Sequence, residues 1–285
     1  MNRRIALSVS AALLFFALSA LAQTNCEVGA GPLRKDQPEK LKPQDIIQQF
    51  TANESDMEAA RTRYSFTQEV TVQTLSQGVM PNDWSVDGEY RSIIDVSHDA
   101  HGKRLEAVKF SPQSTLSRMS LEPEDYEDIK HFSIFALTKE ELPHYNVVYL
   151  GQQRVDELDT YVFDVAPKTI EKGRRYYQGR FWVETTELKA VKSCGKSVPN
   201  PVITQKKRFI GKKVVGHGVQ PTFATYRELI DRKYWFPTYS RSDDKLEFGK
   251  DELKLKELIR FTDYKALAPT QQINKSALST QKRTP

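Results

Sequence analysis

Polar and apolar residues alternate with a period of two along most of the chain. The stretches YSFTQEVTVQTL from Tyr64, YVFDV from Tyr161 and GRFWVE from Gly179 show the alternation, and it continues to residue 264. This period is typical of β-strands, whose successive side chains point to opposite faces. Short separators rich in Gly, Pro or Asp favour hairpins, so the pattern predicts one antiparallel meander of roughly ten strands.

Two segments depart from this period and predict helices. The first, at about residues 44–61, has apolar residues at helical spacing, among them Phe50 and Met57, and Asn53 marks a point where the helix could break. The second, at about 122–136, begins with acidic residues that complement the helix dipole. Such a charge run is usually a solvated helix face, so a pair of catalytic carboxylates is the less favoured interpretation.

Both faces of several predicted strands carry large apolar groups. Phe181 and Val183 point to one face and Trp182 points to the other. A sheet covered on one side only should alternate more cleanly. Because two helices cannot cover both faces of so many strands, we predict a mainly β (α+β) fold in which a curved antiparallel sheet forms an incomplete β-barrel with the helices on its concave side. Periodicity leaves open the alternative of a filled sandwich core.

The ends of the chain differ in composition from this central domain. Residues 1–22 combine a basic start, an apolar run and Ala-Leu-Ala before the cleavage point, the pattern of a cleaved export signal. Residues 23–42 are polar and rich in Gly and Pro, which predicts a flexible linker. The sequence therefore predicts a folded domain over 43–265, followed by a disordered basic tail over 266–285.

Charge and cysteine content add little about partners. The net charge of +5 is too small to indicate one, and export argues against nucleic acid. Cys26 and Cys194 could form one disulfide, and the sequence leaves their pairing open. No lipobox precedes Cys26, so lipidation is not expected. The basic loop 205–218 could touch anionic headgroups or an acidic membrane-bound partner, although a solvated loop is the favoured interpretation.

No group of residues forms a recognisable catalytic pattern. The motifs G-x-S-x-G, H-E-x-x-H and C-x-x-C and a phosphate-binding loop are all absent from the sequence. His98 and His101 are too few to hold zinc without distant ligands. We therefore predict a non-enzymatic protein without a metal or a cofactor.

Several segments together resemble the outer-membrane lipoprotein-sorting family over about residues 44–264. They are the helix leading into YSFTQEVTVQ, the hairpins within LGQQRVDELDTYVFDVAPK and YQGRFWVETTELKAVK, and the later KYWFPTYSRSDD and LIRFTDYK. Members of the family are periplasmic carriers similar to the lipoprotein chaperone and to the sigma-E regulatory sensor. The resemblance implies an incomplete barrel with helices as a lid, and acyl chains bound in the cavity. It also implies that the second apolar face of the hairpin 176–192 faces lipid or the lid helices. It also implies a lid-holding arginine on the sheet, which no local motif places here, while residues 196–221 are an addition.

The wall of the expected chamber follows from the more apolar register of each strand, a choice that a shift of one residue would reverse. The predicted lipid-binding residues are Phe66, Val70, Tyr90, Ile94, Phe163, Val165, Phe181 and Val183. The favoured function is a monomeric periplasmic carrier of a lipid or an acylated lipoprotein, for transport towards the outer membrane. The alternative is a periplasmic sensor that uses the same fold to bind a membrane-associated protein.

Overall fold

The computed structural model describes residues 25–80, 83–117, 119–199, 202–206, 213–217, 221–248 and 251–267. Within these ranges lie two α-helices, α1 (Pro43–Arg61) and α2 (Pro123–His131). The strands are β1 (Tyr64–Gln77), β2 (Trp84–His98), β3 (Arg104–Phe110), β4 (Tyr145–Val155), β5 (Leu158–Pro167), β6 (Tyr176–Glu184), β7 (Ala190–Val198), β8 (Val202–Lys206), β9 (Lys213–His217), β10 (Phe223–Ile230), β11 (Tyr234–Phe248) and β12 (Asp251–Ala266).

Ten of these strands form one open sheet in the order β3-β2-β1-β12-β11-β10-β7-β6-β5-β4. Every neighbouring pair is antiparallel, and the pairing of β1 with β12 joins the two ends of the domain. The edge strands β3 and β4 do not pair with each other in the described part of the chain. The predicted fold class is therefore confirmed as mainly β, with an antiparallel sheet that stays an incomplete half-barrel.

Both helices lie on one side of the sheet, which we call the inner face. Helix α1 runs without interruption through Asn53, whose side-chain amide donates to the backbone carbonyls of Glu187 and Leu188 at 3.0 and 2.8 Å. The break expected at this residue is absent because the amide bonds to the β6–β7 turn instead of competing for the helix's own hydrogen bonds.

Helix α2 ends five residues before its predicted end at residue 136, since its last residue is His131. Beyond it, the carbonyl of Ser133 accepts a hydrogen bond from the Thr225 hydroxyl, and that of Phe135 accepts one from the Arg227 guanidinium at 3.2 Å. Side chains of the sheet thus bind carbonyls that a continued helix would give to its own N–H groups. The apolar half of the predicted helix is a non-helical segment, 132–137.

The N-terminal segment lies along the opposite side of the sheet, the outer face. The N–H of Gly31 donates to the carbonyl of Arg154 and that of Arg34 to the carbonyl of Gln152, both at 2.8 Å. A disulfide joins Cys26 to Cys194 with their Cα atoms 5.4 Å apart, which settles the pairing that the sequence left open. Where the sequence predicts a flexible linker, residues 26–34 are therefore attached to edge strand β4 and to β7.

Several predicted features fall outside the described residues. They include the export signal 1–22, the greater part of the basic tail, and residues 207–212 and 218 of the basic loop. The rest of that loop belongs to β8 and β9, which form a separate two-stranded sheet within the added segment 196–221. Among the described residues, no helix has the length and apolar character needed to cross a membrane.

Candidate functional site

All eight predicted wall residues lie on the inner face, in two groups. One group is a buried cluster on β5 and β6 beneath α1, and the other lies on β1 and β2 beneath α2. The first group contains Phe163, Val165, Phe181 and Val183; the second contains Phe66 and Val70, with Tyr90 and Ile94 at its margin. Lipid binding by these residues stays a prediction.

A buried polar strip separates the two groups on β10 and β11. Thr225 and Ser240 share a hydrogen bond of 2.8 Å, and Arg227 follows Thr225 on the same face of β10. All three are buried, with exposures of 1%, 0% and 4%. The inner face therefore consists of two apolar areas with a polar divide between them.

Helix α1 covers the first apolar area with side chains from its buried face. Ile46 and Phe50 are fully buried, and the ring of Phe50 lies 5.4 Å from that of Phe163 and 6.3 Å from that of Phe181. Phe163 and Phe181 are cross-strand partners on β5 and β6, so the Phe50 ring lies across this pair. The helix therefore packs directly on this part of the predicted wall.

The segment 132–137 covers the middle of the inner face. The ring of Phe135 stacks on that of Tyr177 at 4.6 Å with an angle of 7° between the planes. Room for the Tyr177 ring comes from Gly195, because a Cβ there would collide with the ring. We call α1 and residues 132–137 together the lid, since both parts cover the predicted wall.

An ion pair buried beneath the lid holds its two parts to the polar strip. Glu54 of α1 accepts hydrogen bonds of 2.5 and 2.9 Å from the two terminal nitrogens of Arg227, and one of these also donates to the carbonyl of Phe135. Only 1% of the Arg227 side chain and 2% of the Glu54 side chain are exposed. Two parallel charge-assisted bonds fix the orientation of a carboxylate, so Arg227 determines where both parts of the lid lie.

Arg227 is a buried arginine on the sheet, and the sequence contained a signal for its position. Phe223, Thr225 and Arg227 occupy one register of β10, so a charge stands where the alternation places inward residues. Glu54 likewise interrupts the apolar spacing between Phe50 and Met57 on α1. A charge on the buried face of each of two elements indicates that the charges pair with each other.

A second polar contact holds α2 and involves an unusual carboxyl group. Arg175 donates to Asp128 of α2 at 2.7 Å, and the Ser197 hydroxyl donates to the same carboxylate oxygen at 3.2 Å. Burial raises the pKa of Asp128 to about 6, although Arg175 lowers it. Glu257 of β12 is buried nearby, and burial with the neighbouring carboxylates raises its pKa to about 8. In the described residues no cluster of His, Cys, Asp and Glu could hold a metal.

The outer face explains why the strands are apolar on both sides. Trp182, Val191 and Ala224 form a buried cluster there, covered by Cys26 and Ala30 of the N-terminal segment. The sequence assigned the second face of this hairpin to lipid or to the lid, which is wrong for Trp182. Its cover comes from a segment more than a hundred residues away, so the pattern of the hairpin could not reveal it.

Comparison with known proteins gives no match to a family model and none to a curated protein. Several solved structures match, and the three described here do so at low identity. A DUF1329 family protein from Desulfovibrio piger is 13% identical with a TM-score of 0.33, over 79% of this chain and 95% of that one. A putative outer membrane lipoprotein-sorting protein domain from Vibrio parahaemolyticus is 12% identical with a TM-score of 0.33, over 79% and 96%.

A third match is the MucB chain in a MucA/MucB complex from Pseudomonas aeruginosa. It is 10% identical with a TM-score of 0.23, over 76% of this chain and all of that one. The Vibrio parahaemolyticus protein is named as a lipoprotein-sorting domain, the same family that the sequence resembles. TM-scores below 0.5 nevertheless support no conclusion about a ligand, a partner or a mechanism.

Proposed function

We propose that the protein is a non-enzymatic periplasmic carrier that binds the acyl chains of a lipid or a lipoprotein against the inner face, for transport towards the outer membrane. The observation that supports this most is the buried Glu54–Arg227 pair. Apolar contacts alone would suffice to keep a permanent core closed, and a buried ion pair adds little net stability over apolar side chains of similar size. A buried ion pair suits a lid that must occupy one defined position when closed and must also be able to open.

Replacement of the lid by an acyl chain would exchange one set of apolar contacts for another. Phe50 and Phe135 contact the aromatic rings of the wall, so a hydrocarbon chain in their place would keep those rings out of water. The free energy of opening would then depend mainly on the hydrogen bonds that the lid gives up. Those bonds include the ones from Arg227 to both parts of the lid, from Thr225 to the carbonyl of Ser133 and from Asn53 to the β6–β7 turn.

Two cavities beside α1 offer places where a chain could enter. One, of about 380 Å³, is lined by Asn53, Met57 and Trp235, among others. The other, of about 490 Å³, lies on the far side of the helix and is lined by Ile47 and Tyr145, among others. Residues of α1 line both cavities. An acyl chain that entered either cavity would therefore contact the helix first, and the helix would have to move before the chain reached the wall.

Native mass spectrometry of protein purified from cells without detergent tests the proposal. A carrier should retain lipid, seen as additional mass that organic extraction removes and identifies. A lipid-free protein that also fails to bind a fluorescent fatty acid would contradict the carrier function. If such a protein instead purified in a stable complex with a membrane-associated protein, the sensor alternative would be supported.

A further inference from the structure

Three basic side chains meet on the inner face, beyond the second apolar area. Arg61 is the last residue of α1, while His98 ends β2 and Arg104 begins β3, where the two are cross-strand partners. The Arg104 guanidinium lies 5.9 Å from the centre of the Phe66 ring. His98 lies two residues after Val96, which pairs with Phe66 and is fully buried. The basic cluster therefore adjoins the predicted wall.

Two nitrogens of this cluster are buried without a hydrogen-bond partner in the described residues. They are Nη1 of Arg61 and Nδ1 of His98, and the His98 residue is only 8% exposed. Buried polar groups almost always have partners, because an unpaired one loses its hydrogen bonds to water without replacement. A charged guanidinium in this position is more costly still. Both atoms would be satisfied by a group that accepts hydrogen bonds from them.

The neighbouring acidic groups do not fill this role. Glu106 is engaged by Arg104 Nε at 2.7 Å and by Lys130 of α2 at 3.6 Å. Glu58 lies one turn before Arg61 on an exposed part of α1, and no described ion pair joins the two. Arg104 also donates to the side-chain oxygen of Gln68. The charge of Glu58 favours the charged form of Arg61, but no described carboxylate forms a hydrogen bond with Arg61 Nη1.

The groups around His98 also carry more positive than negative charge. Burial lowers the pKa of His98, and the charges of Arg61 on α1 and Arg104 on β3 lower it further. A hydrogen bond with the backbone of Tyr64 and the charge of Asp99 act in the opposite direction. An anion held between these groups would favour the protonated imidazole, whose Nδ1–H could then donate to it.

We infer that Arg61, His98 and Arg104 form a binding site for an anionic oxygen group, a phosphate or a carboxylate. We assign it to the headgroup of an anionic lipid whose acyl chain lies along Phe66 and Val96. The inference rests on the proposed carrier function and names its ligand class. Since Arg61 is also the last residue of α1, movement of the lid would open the site and the wall together.

Exchange with vesicles of defined composition tests this inference. Purified protein is incubated with phosphatidylcholine vesicles, or with vesicles that also contain phosphatidylglycerol, then recovered, and its lipid is extracted and quantified. The wild type should be enriched in phosphatidylglycerol relative to the vesicles. The double variant Arg61→Gln/His98→Gln should lose about tenfold of that preference, the factor expected when a charge-assisted hydrogen bond is removed. Total bound lipid should change little.

Arg91→Gln is the matched control. Arg91 lies on β2 like His98, but on the outer face, where it pairs with Glu69 at 3.1 Å and is 42% exposed. This variant should retain the wild-type preference. Because Arg61→Gln removes a charged group whose Nη1 is buried without a partner in the described residues, the double variant should unfold at the same temperature as the wild type or higher. That result separates a loss of headgroup binding from a loss of fold.

Each remaining outcome decides between this inference and the proposed function. Protein that binds neither lipid contradicts the carrier function itself. Protein that binds both lipids without preference, or whose preference survives in the double variant, overturns the headgroup site. An inorganic phosphate titration separates the sources of the anion. If phosphate raises the melting temperature of the wild type but not of the double variant, without phosphatidylglycerol enrichment, the site takes a soluble anion and the lipid assignment is overturned.

Discussion

The ammonium group of Lys192 lies 4.7 Å from the centre of the Trp182 ring, on the outer face of the sheet. The same nitrogen is 4.9 Å from the centre of the Tyr226 ring and donates to the carbonyl of Val28 at 2.8 Å. The Lys192 residue is fully buried. A lysine thus links two strands of the sheet to the N-terminal segment. Among the described residues its ammonium group contacts two aromatic faces and one carbonyl and forms no ion pair with a carboxylate.

This arrangement predicts a change of stability in alkaline solution. Burial lowers the pKa of Lys192 from 10.5 to about 8. Between these values the unfolded chain binds more protons, so the contribution of Lys192 to stability increases as the pH rises from 8 to 10.5. Urea unfolding at about pH 7 and about pH 10 should show this as a difference between the wild type and Lys192→Met, of about 2 kcal/mol. A constant difference between the two proteins would contradict the burial of the charge.

Reduction of the Cys26–Cys194 disulfide should destabilise the protein and release the N-terminal segment. The bond joins residues 168 apart, and closing a loop of that length in the unfolded chain stabilises the folded state by about 5 kcal/mol. With the segment free, water should reach Trp182 and shift its fluorescence to longer wavelength. Thermal unfolding and emission spectra with and without a thiol reductant measure both effects.

Two variants serve as controls for this experiment. A Cys26→Ser/Cys194→Ser protein should behave like the reduced wild type and should not respond to reductant. Trp182→Phe should lose the fluorescence change while keeping the loss of stability. An emission spectrum that is unaffected by reduction, in a protein whose bond is shown to be broken, would argue that other contacts hold the segment in place.

Glu257→Gln should stabilise the protein in neutral and alkaline solution. One carboxylate oxygen of Glu257 is buried without a hydrogen-bond partner among the described residues, and burial raises the pKa of this group from 4.5 to about 8. The folded state therefore holds the proton more tightly, so stability is fully present below pH 4.5 and is lost as the pH rises through 8. The variant should gain up to about 5 kcal/mol above pH 8 and little near pH 4.5.

Calorimetry across this pH range measures the effect of Glu257, with Glu187→Gln as the control. Glu187 lies in the turn between β6 and β7, and 57% of its side chain is exposed. Its replacement should shift the stability curve little at any pH, because an exposed ion pair contributes little. If both variants changed stability equally, the burial of Glu257 would not be the cause.

Removing one partner of the Glu54–Arg227 ion pair should destabilise the protein, whereas replacing both partners with apolar residues should not. Glu54→Met leaves Arg227 buried without its carboxylate and should cost about 3–5 kcal/mol. It should also increase hydrogen exchange of the α1 amides and speed the uptake of a fluorescent fatty acid. Glu54→Met/Arg227→Met replaces both charges with apolar groups and should restore stability, with slower exchange and slower uptake than in the single variant.

Comparison of the single and double variants is the decisive measurement for the lid. Uptake that is equally fast in the single and the double variant would contradict the expectation that apolar groups can replace the ion pair in holding the lid. Uptake that is unchanged in both, despite altered exchange at α1, would mean that lipid reaches its site without movement of this helix.

Phe181→Leu should change lipid binding more than it changes stability. The substitution keeps the position apolar but removes ring contacts with Phe50 at 6.3 Å and Tyr177 at 5.4 Å. An exchange that keeps the site apolar and nearly conserves volume costs about 1 kcal/mol. Phe110→Leu, on the edge strand β3 and 46% exposed, is the control. Unchanged fatty-acid affinity in a folded Phe181→Leu protein would argue against this wall as the binding surface.

The sequence by itself determined the elements and their inner register. Alternation with a period of two and short polar turns are local properties, since the strand backbone sends neighbouring side chains to opposite faces. The same holds for α1, whose apolar spacing marks the face that Ile46 and Phe50 present to the sheet. Choosing the more apolar register was enough to select residues of one face, because only that face receives both helices.

The tertiary structure alone decided which distant residues meet. Glu54 and Arg227 are 173 positions apart, and Cys26 and Cys194 are 168 apart. Neither pairing follows from local preference, because it depends on the strand order and on where the chain crosses the sheet. The early end of α2 has the same origin: Thr225 and Arg227 supply hydrogen bonds to carbonyls of residues 133 and 135 that a helix would have made internally. A backbone polar group accepts whichever partner the fold brings to it, and that partner is set by topology and not by neighbours in the chain.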